Sequence, residues 1–227
     1  MEQLYLGDCL DILPTLKDKS IDCILTDAPY GINFVSNHRK EKYRNIDNDN
    51  NLFWLPKVID ECFRISRDNT GHYFFCSFHN IDIFKQTIEK KFKIKNILVW
   101  EKNNTSMGDL KGDFAPKIEF IIFAQKGRSL IRGKRTPNIF KFKKTQNINH
   151  PTEKPVDLCM HLIEKFTDKN NTILDCFMGS GSTGVASKNL NRNFIGIEKD
   201  KDYFDIARTR INDQTKSDSQ RITNTEI

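Results

Sequence analysis

No stretch of this chain stays apolar long enough to cross a bilayer, and the opening Met-Glu-Gln-Leu-Tyr lacks the features of a secretory leader. That reading excludes a helical membrane protein; a cytoplasmic location and no membrane partner are expected. Metal-binding cysteine pairs are missing too. The six cysteines, at 9, 23, 62, 76, 159 and 176, make no Cys-x-x-Cys and stand at no zinc-ligand spacing with histidine. No metal site is expected, and cysteines inside apolar runs read as buried free thiols of a reducing compartment. There is no internal repeat. Acid is absent from one long run: Lys126, Arg128, Arg132, Lys134, Arg135, Lys141, Lys143 and Lys144 follow one another without an Asp or Glu between them.

What is present suits one medium-sized domain with a full core: 227 residues, 37% hydrophobic and 11% aromatic. The formal net charge of +6 is a modest pointer to a polyanion. The basic run says more, because Leu130, Ile131, Ile139, Phe140 and Phe142 are interleaved with its charges. A solvated loop needs no such residues; a nucleic-acid surface uses them.

Seven strand-like runs, at 3–6, 21–26, 71–78, 96–101, 118–124, 172–176 and 193–198, are rich in Ile, Val, Phe or Tyr. Helical spacing of apolar residues marks 52–66, 81–90, 156–166, 182–190 and 203–211, and Pro155 suits a first helical position. Such alternation predicts an α/β fold with a mostly parallel sheet of seven strands. Residues 33–51 and 127–151 are long, polar or basic connections and so candidates for function. Residues 1–213 read as a single domain and 214–227 as a polar tail, expected to be disordered.

The segment "NTILDCFMGSGSTGVASKNL" is a strand, a glycine loop and a helix. Gly179, Gly181 and Gly184 match G-x-G-x-x-G, and Glu198 ends the following strand as a ribose-binding acid does. It is not a P-loop, since Val185 and Ala186 stand where Lys and Ser/Thr belong. Such a loop normally follows the first strand of a nucleotide-binding sheet. Fewer than thirty residues follow Glu198 here, so the remaining strands must come from the N-terminal side and the sheet is permuted. The ligand need not carry phosphate. In S-adenosyl-L-methionine, the ribose hydroxyls suit Glu198, the methionine ammonium suits Asp175, and the sulfonium or adenine suits Phe177, whose plain alternative is core packing.

The stretch "CILTDAPYG" brings a strand to Asp27, at the carboxyl edge where open α/β sheets bind ligands. The Asp27 carboxylate and the Ala28 carbonyl are two acceptors side by side. Pro29 restricts Ala28 to extended backbone, and Tyr30 offers a stacking face. Together they describe a trap for an exocyclic amine on a flat ring. Taken alone, the stretch is better read as a strand meeting a Pro-Tyr turn.

Three signatures in this order, "DAPY" at 27–30, "HPTEKP" at 150–155 and "DCFMGSGSTG" at 175–184, resemble those of the amino-methylating DNA methyltransferases of the β arrangement. The likeness runs from Gly7 to about Ile211 and includes "GDCLDILPTL". It implies a Rossmann-like, permuted methyltransferase fold and transfer of a methyl group from S-adenosyl-L-methionine to an exocyclic amine of double-stranded DNA. The target base is flipped out of the duplex. Asp27, Ala28 and Pro29 would hold the amine and Tyr30 would stack on the base. Asp8, beside Cys9, would meet the cofactor adenine, and Thr152 and Lys154 the methionine carboxylate. Asp175, Phe177, Gly179, Gly181, Ser182, Thr183 and Glu198 would complete the cofactor site. No cysteine nucleophile is required.

The chain departs from the commoner pattern in having Ala28 and Cys176 where proline is usual. Only the carbonyl of residue 28 is needed, and alanine has it. Asp at position 27 goes mainly with adenine in this family, so N6 of adenine is favoured over N4 of cytosine. The resemblance places target recognition in an insertion at 127–149, where Arg128, Arg132, Lys134, Arg135, Lys141 and Lys143 are the DNA-binding candidates. His38, Arg39 and Arg44, in the segment after the trap, are expected to close over the flipped base. It leaves open a homodimer and a separately encoded cognate restriction endonuclease. Competing readings are an RNA methyltransferase with the same site, a non-catalytic nucleic-acid-binding protein, and a nicotinamide-dependent oxidoreductase.

Overall fold

The computed structural model describes residues 1–29, 51–105, 110–144 and 153–223, with side chains through Asp213. Eight strands form one open sheet in the order β1-β8-β7-β2-β3-β5-β4-β6. They are β1 (Glu2–Leu6), β2 (Cys23–Thr26), β3 (Thr70–Cys76), β4 (Lys93–Glu101), β5 (Ile118–Lys126), β6 (Ile139–Lys141), β7 (Thr172–Asp175) and β8 (Asn193–Glu198). Pairing is parallel everywhere except where β5 runs antiparallel between β3 and β4. Every residue of β2 and β3 is buried, as unbroken apolar runs covered on both faces require.

One face carries α1 (Cys9–Ile12), α2 (Leu55–Ile65) and α3 (Ile81–Glu89); the other carries α4 (Val156–Phe166), α5 (Ser182–Asn189) and α6 (Lys201–Thr223). In α2 the buried residues are Leu55, Val58, Ile59, Cys62 and Ile65, the one-face spacing of a helix against a sheet. No described helix is long and apolar enough to cross a membrane.

The chain runs outward from β2 in one direction along the sheet and from β7 in the other, with α2 and α5 on opposite faces. The crevice between the carboxyl ends of β2 and β7 is therefore the topological switch point, where ligands bind in such sheets. The permutation holds: the glycine-loop strand β7 is the seventh in the chain yet lies inside the sheet.

The expected seven strands are corrected to eight. The added β6 falls inside the segment read as irregular. It has three residues of which only Phe140 is buried, too few for a periodicity. Its anchors are Val99 N donating to Asn138 O at 2.8 Å and Trp100 Nε1 donating to Phe142 O at 2.9 Å. Pro155 caps α4 from one residue before its start rather than opening it. Helix α6 continues through residues 214–223, which composition marked as a tail.

Candidate active site

The glycine loop is shaped by close approach. Gly181 has φ of +82°, a left-handed backbone that glycine adopts without strain. A Cβ on Gly184 would sit 2.4 Å from Ile211 Cδ1, so only glycine lets α5 lie this close to α6. Glu198 closes the loop: Gly179 N donates to its Oε2 at 2.8 Å and Asp200 N to its Oε1 at 2.9 Å. Burial raises the Glu198 carboxyl above its ordinary range, and the N–H groups of Asp200 and Gly179 offset part of that rise.

Asp175 lies buried at the end of β7. Its Oδ1 accepts from Thr26 Oγ1 at 2.9 Å and from Phe177 N at 3.2 Å, and its Oδ2 accepts from Thr183 Oγ1 at 2.7 Å. Burial nonetheless pushes its carboxyl up to about 6. Ser182 Oγ, in the first turn of α5, is buried and has no hydrogen-bond partner among the described residues.

Asp8 caps α1 by accepting from Leu10 N, and the neighbouring Gly7 N donates to Glu198 O at 2.9 Å. Asp8, Phe177 and Glu198 thus come to one end of the sheet. Phe177 packs on Trp54 with ring centroids 5.3 Å apart, and both rings lie against the core on the face that carries α2. Cys9 is buried beside it, and all six cysteines are buried and free. Burial holds the Cys76 thiol, at the end of β3, up at about 12, so it is protonated at neutral pH and no nucleophile.

Asp27 stands at the carboxyl end of β2, followed by the buried Ala28 and by Pro29. Its Oδ2 accepts from Lys154 Nζ. Lys154 therefore differs from the expectation that it holds a carboxylate of the cofactor. It is buried between Asp27 and Glu119 Oε2, the latter 3.3 Å away, and its ammonium lies 5.0 Å from the Phe75 ring centroid. Burial alone would lower the Lys154 ammonium, but the Asp27 and Glu119 carboxylates outweigh it and hold it above its usual range. The motifs of the sequence do not point to Glu119. Its signal there is a lone carboxylate in the apolar run "IEFIIFA".

The basic run does not form one surface. Because β5 is antiparallel to β3, its last residue Lys126 lies opposite Thr70, at the edge of the sheet away from Asp27. Arg128 N donates to Asn69 Oδ1 there. Arg132 makes a forked contact with Asp168, its Nη2 2.7 Å from Oδ2, and Lys134 O accepts from Lys165 at the end of α4. Only after β6 turns back alongside β4 do Lys141 and Lys143 reach the edge that carries Asp27; both are exposed. Arg128, Arg132 and Lys134, with Arg135 one residue further on, thus lie apart from the edge that carries Lys141 and Lys143. Tyr30, His38, Arg39, Arg44 and Thr152 lie outside the described residues.

Asp27-Ala28-Pro29 and the glycine loop thus follow neighbouring strands, β2 and β7, at the carboxyl edge of a permuted α/β sheet. The chain belongs to the DNA methylase family of N6/N4 methyltransferases, whose profile matches residues 21–209. It is 31% identical to the type II methyltransferase M2.MboI of Moraxella bovis, over 93% of this chain and 88% of that protein. It is 32% identical to the putative methylase YubD of Escherichia coli K12, over 93% and 90%. A crystal structure of an M1.HpyAVI–SAM complex superposes with a TM-score of 0.73 and 29% identity, covering 93% of this chain and all of that one.

Proposed function

We propose that the protein transfers the methyl group of S-adenosyl-L-methionine to N6 of an adenine flipped out of double-stranded DNA. The observation that carries this reading is the hydrogen bond from Thr26 to Asp175, which ties the strand ending in the amine trap to the strand ending in the glycine loop. Two ligands held at those strand ends meet in one crevice.

The residues fit the cofactor. Ser182 Oγ is a buried donor without a partner among the described residues, at the N-terminal turn of α5, where a carboxylate is favourably held. This replaces Lys154 as the partner of the methionine carboxylate, with Thr152 as the further donor. Asp175 takes the methionine ammonium, fixed by its bonds from Thr26 and Thr183. Glu198 takes the ribose hydroxyls, for which a carboxylate holding two N–H groups still has lone pairs. Asp8 takes the adenine and Phe177 lines the pocket between them.

Bound there, the cofactor would supply an electrophilic methyl on a sulfonium, open to the nitrogen lone pair of the amine, with S-adenosylhomocysteine as the leaving group when the carbon–sulfur bond breaks. The Asp27 carboxylate and the Ala28 carbonyl accept the two amine hydrogens. They turn the lone pair toward the methyl and stabilise the positive charge that develops on nitrogen, while Pro29 fixes the angle between them. The amine proton then leaves through the Asp27 carboxylate to water. Asp at position 27 favours N6 of adenine; N4 of cytosine is the alternative in the same trap.

The test is methylation of unmodified genomic DNA with labelled S-adenosyl-L-methionine, followed by nucleoside mass spectrometry. N6-methyldeoxyadenosine is expected, and N4-methyldeoxycytidine would overturn the choice of base. Asp27→Ala should lower transfer by roughly 10²- to 10³-fold while cofactor affinity is largely kept. Full transfer by that variant would remove Asp27 from the chemistry.

A further inference from the structure

Four charged side chains form a line that ends at the amine trap. Lys102, one residue beyond β4, lies 2.7 Å from Glu119 on β5. Glu119 Oε2 is 3.3 Å from Lys154 Nζ, an ion pair without the geometry of a hydrogen bond, and Lys154 donates to Asp27 Oδ2. Lys102 is 10% exposed, Lys154 8% and Glu119 22%, and Glu119 directly precedes the apolar run from Phe120 to Ala124 in β5. Stability alone does not explain the arrangement, because buried ion pairs are commonly replaced by apolar residues without loss.

We infer that Glu119 is a positioning residue for methyl transfer, acting through Lys154 on Asp27. The inference rests on the reading of Asp27 as the acceptor of the target amine. A lysine paired with Asp27 alone would neutralise the carboxylate and weaken it as an acceptor. An ammonium has three donors and can be shared between two carboxylates. Glu119 draws Lys154 partly to itself, so Asp27 is held in place and still presents negative charge where positive charge develops. Lys102 secures Glu119 from the far side.

Among the described residues, the groups facing Lys154 include Asp27 from β2 and Glu119 from β5, with Cys76 at the end of β3, Asp175 of β7 and Cys159 of α4 around them. Asp27 and Glu119 both favour the charged ammonium. Removing the Glu119 charge takes away one of these supports. An alkaline limb of kcat set by the Lys154 ammonium then moves to lower pH.

The experiment compares the full chain, Glu119→Gln, Glu119→Asp and Asp27→Ala in steady-state methylation of a DNA substrate across pH, with cofactor affinity measured in parallel. Glu119→Gln is expected to lower kcat by about 10- to 100-fold, with cofactor Kd and KM for DNA within about threefold and the alkaline limb displaced downward. Glu119→Asp keeps the charge but withdraws it by one methylene, and its kcat should fall about threefold below wild type and above the Gln variant.

Wild-type kcat and pH profile in Glu119→Gln would overturn the inference, as would an equal loss in cofactor affinity or an Asp variant no better than Gln. Should Glu119→Gln fail to fold, an Asp variant indistinguishable from wild type overturns it. Active Asp27→Ala, or a wild type that methylates no amine, would instead sink the parent reading. Inactive Asp27→Ala beside an unaffected Glu119→Gln would sink this inference alone.

Discussion

Thr26 and Asp175, 149 residues apart in sequence, are joined by a 2.9 Å hydrogen bond in which the threonine hydroxyl donates to the carboxylate. The bond spans the switch point between β2 and β7, whose ladder pairs Cys23 with Ile173 and Ile24 with Leu174 and stops short of Thr26 and Asp175. Beyond that register no ladder pair joins the two strand ends, and the side-chain bond links them directly.

A pH dependence follows from Asp175. Burial pushes its carboxyl up to about 6, with Thr183, the Phe177 N–H and Thr26 partly offsetting the rise. Between the ordinary value of 3.8 and about 6 the folded chain keeps a proton that the unfolded chain has lost, so this group makes the fold less stable as pH rises through that window. A bound ammonium has the opposite preference and favours the carboxylate. Cofactor affinity should therefore weaken roughly tenfold between about pH 7 and about pH 5. Thr26→Val removes one of the lowering hydrogen bonds and should move the midpoint above 6. Calorimetric titration with S-adenosyl-L-methionine at several pH values reads both; an affinity flat across the range would contradict the role of Asp175.

Gly184→Ala tests the packing that brings the loop to its ligand. The new Cβ would meet Ile211 Cδ1 at 2.4 Å and Phe194 Cε1 at 2.8 Å, one on α6 and one on β8. Both side chains must shift within a packed, buried cluster, and such overpacking costs about 1–3 kcal/mol. Thermal unfolding should show Tm lower by about 3–10 °C. Gly133→Ala is the contrast: its φ of +65° is strained for alanine, but nothing lies within 4 Å of the added carbon. Its loss should stay near 1 kcal/mol. Equal losses at the two positions would mean that Ile211 and Phe194 make room for the added carbon at little cost.

The legible parts of this molecule are local. The strand, glycine loop, helix and strand from Thr172 to Glu198 follow from apolar runs bounded by glycines, and Asp27 follows from a run ending in Pro29. What is not legible depends on where distant strands pair. Nothing within "IEFIIFA" says that Glu119 will reach Lys154, because that contact exists only once β5 is antiparallel to β3. The same reversal sends the first half of the basic run to the opposite edge, which charge counting has no means to register. The strand β6 is too short to carry a period, and its stability comes from Trp100 and Val99 on β4.

The divided basic run gives the sharpest test of how DNA is held. Lys141 and Lys143 are exposed at the edge that carries Asp27, whereas Arg128 and Arg132 lie beside Asn69 and Asp168 at the other edge. Removing a lysine that neutralises one phosphate should lower the slope of log affinity against log salt by about 1. Lys141→Gln with Lys143→Gln should flatten that slope and weaken DNA binding. Arg128→Gln with Arg132→Gln should leave both unchanged. The Arg132–Asp168 pair is largely exposed, so its loss should alter stability by less than about 1 kcal/mol. Titration of a labelled duplex at several salt concentrations distinguishes the two pairs. A larger effect from the arginines would mean that the duplex wraps past the sheet to its far edge, and that Arg132 gives up Asp168 in exchange for a phosphate.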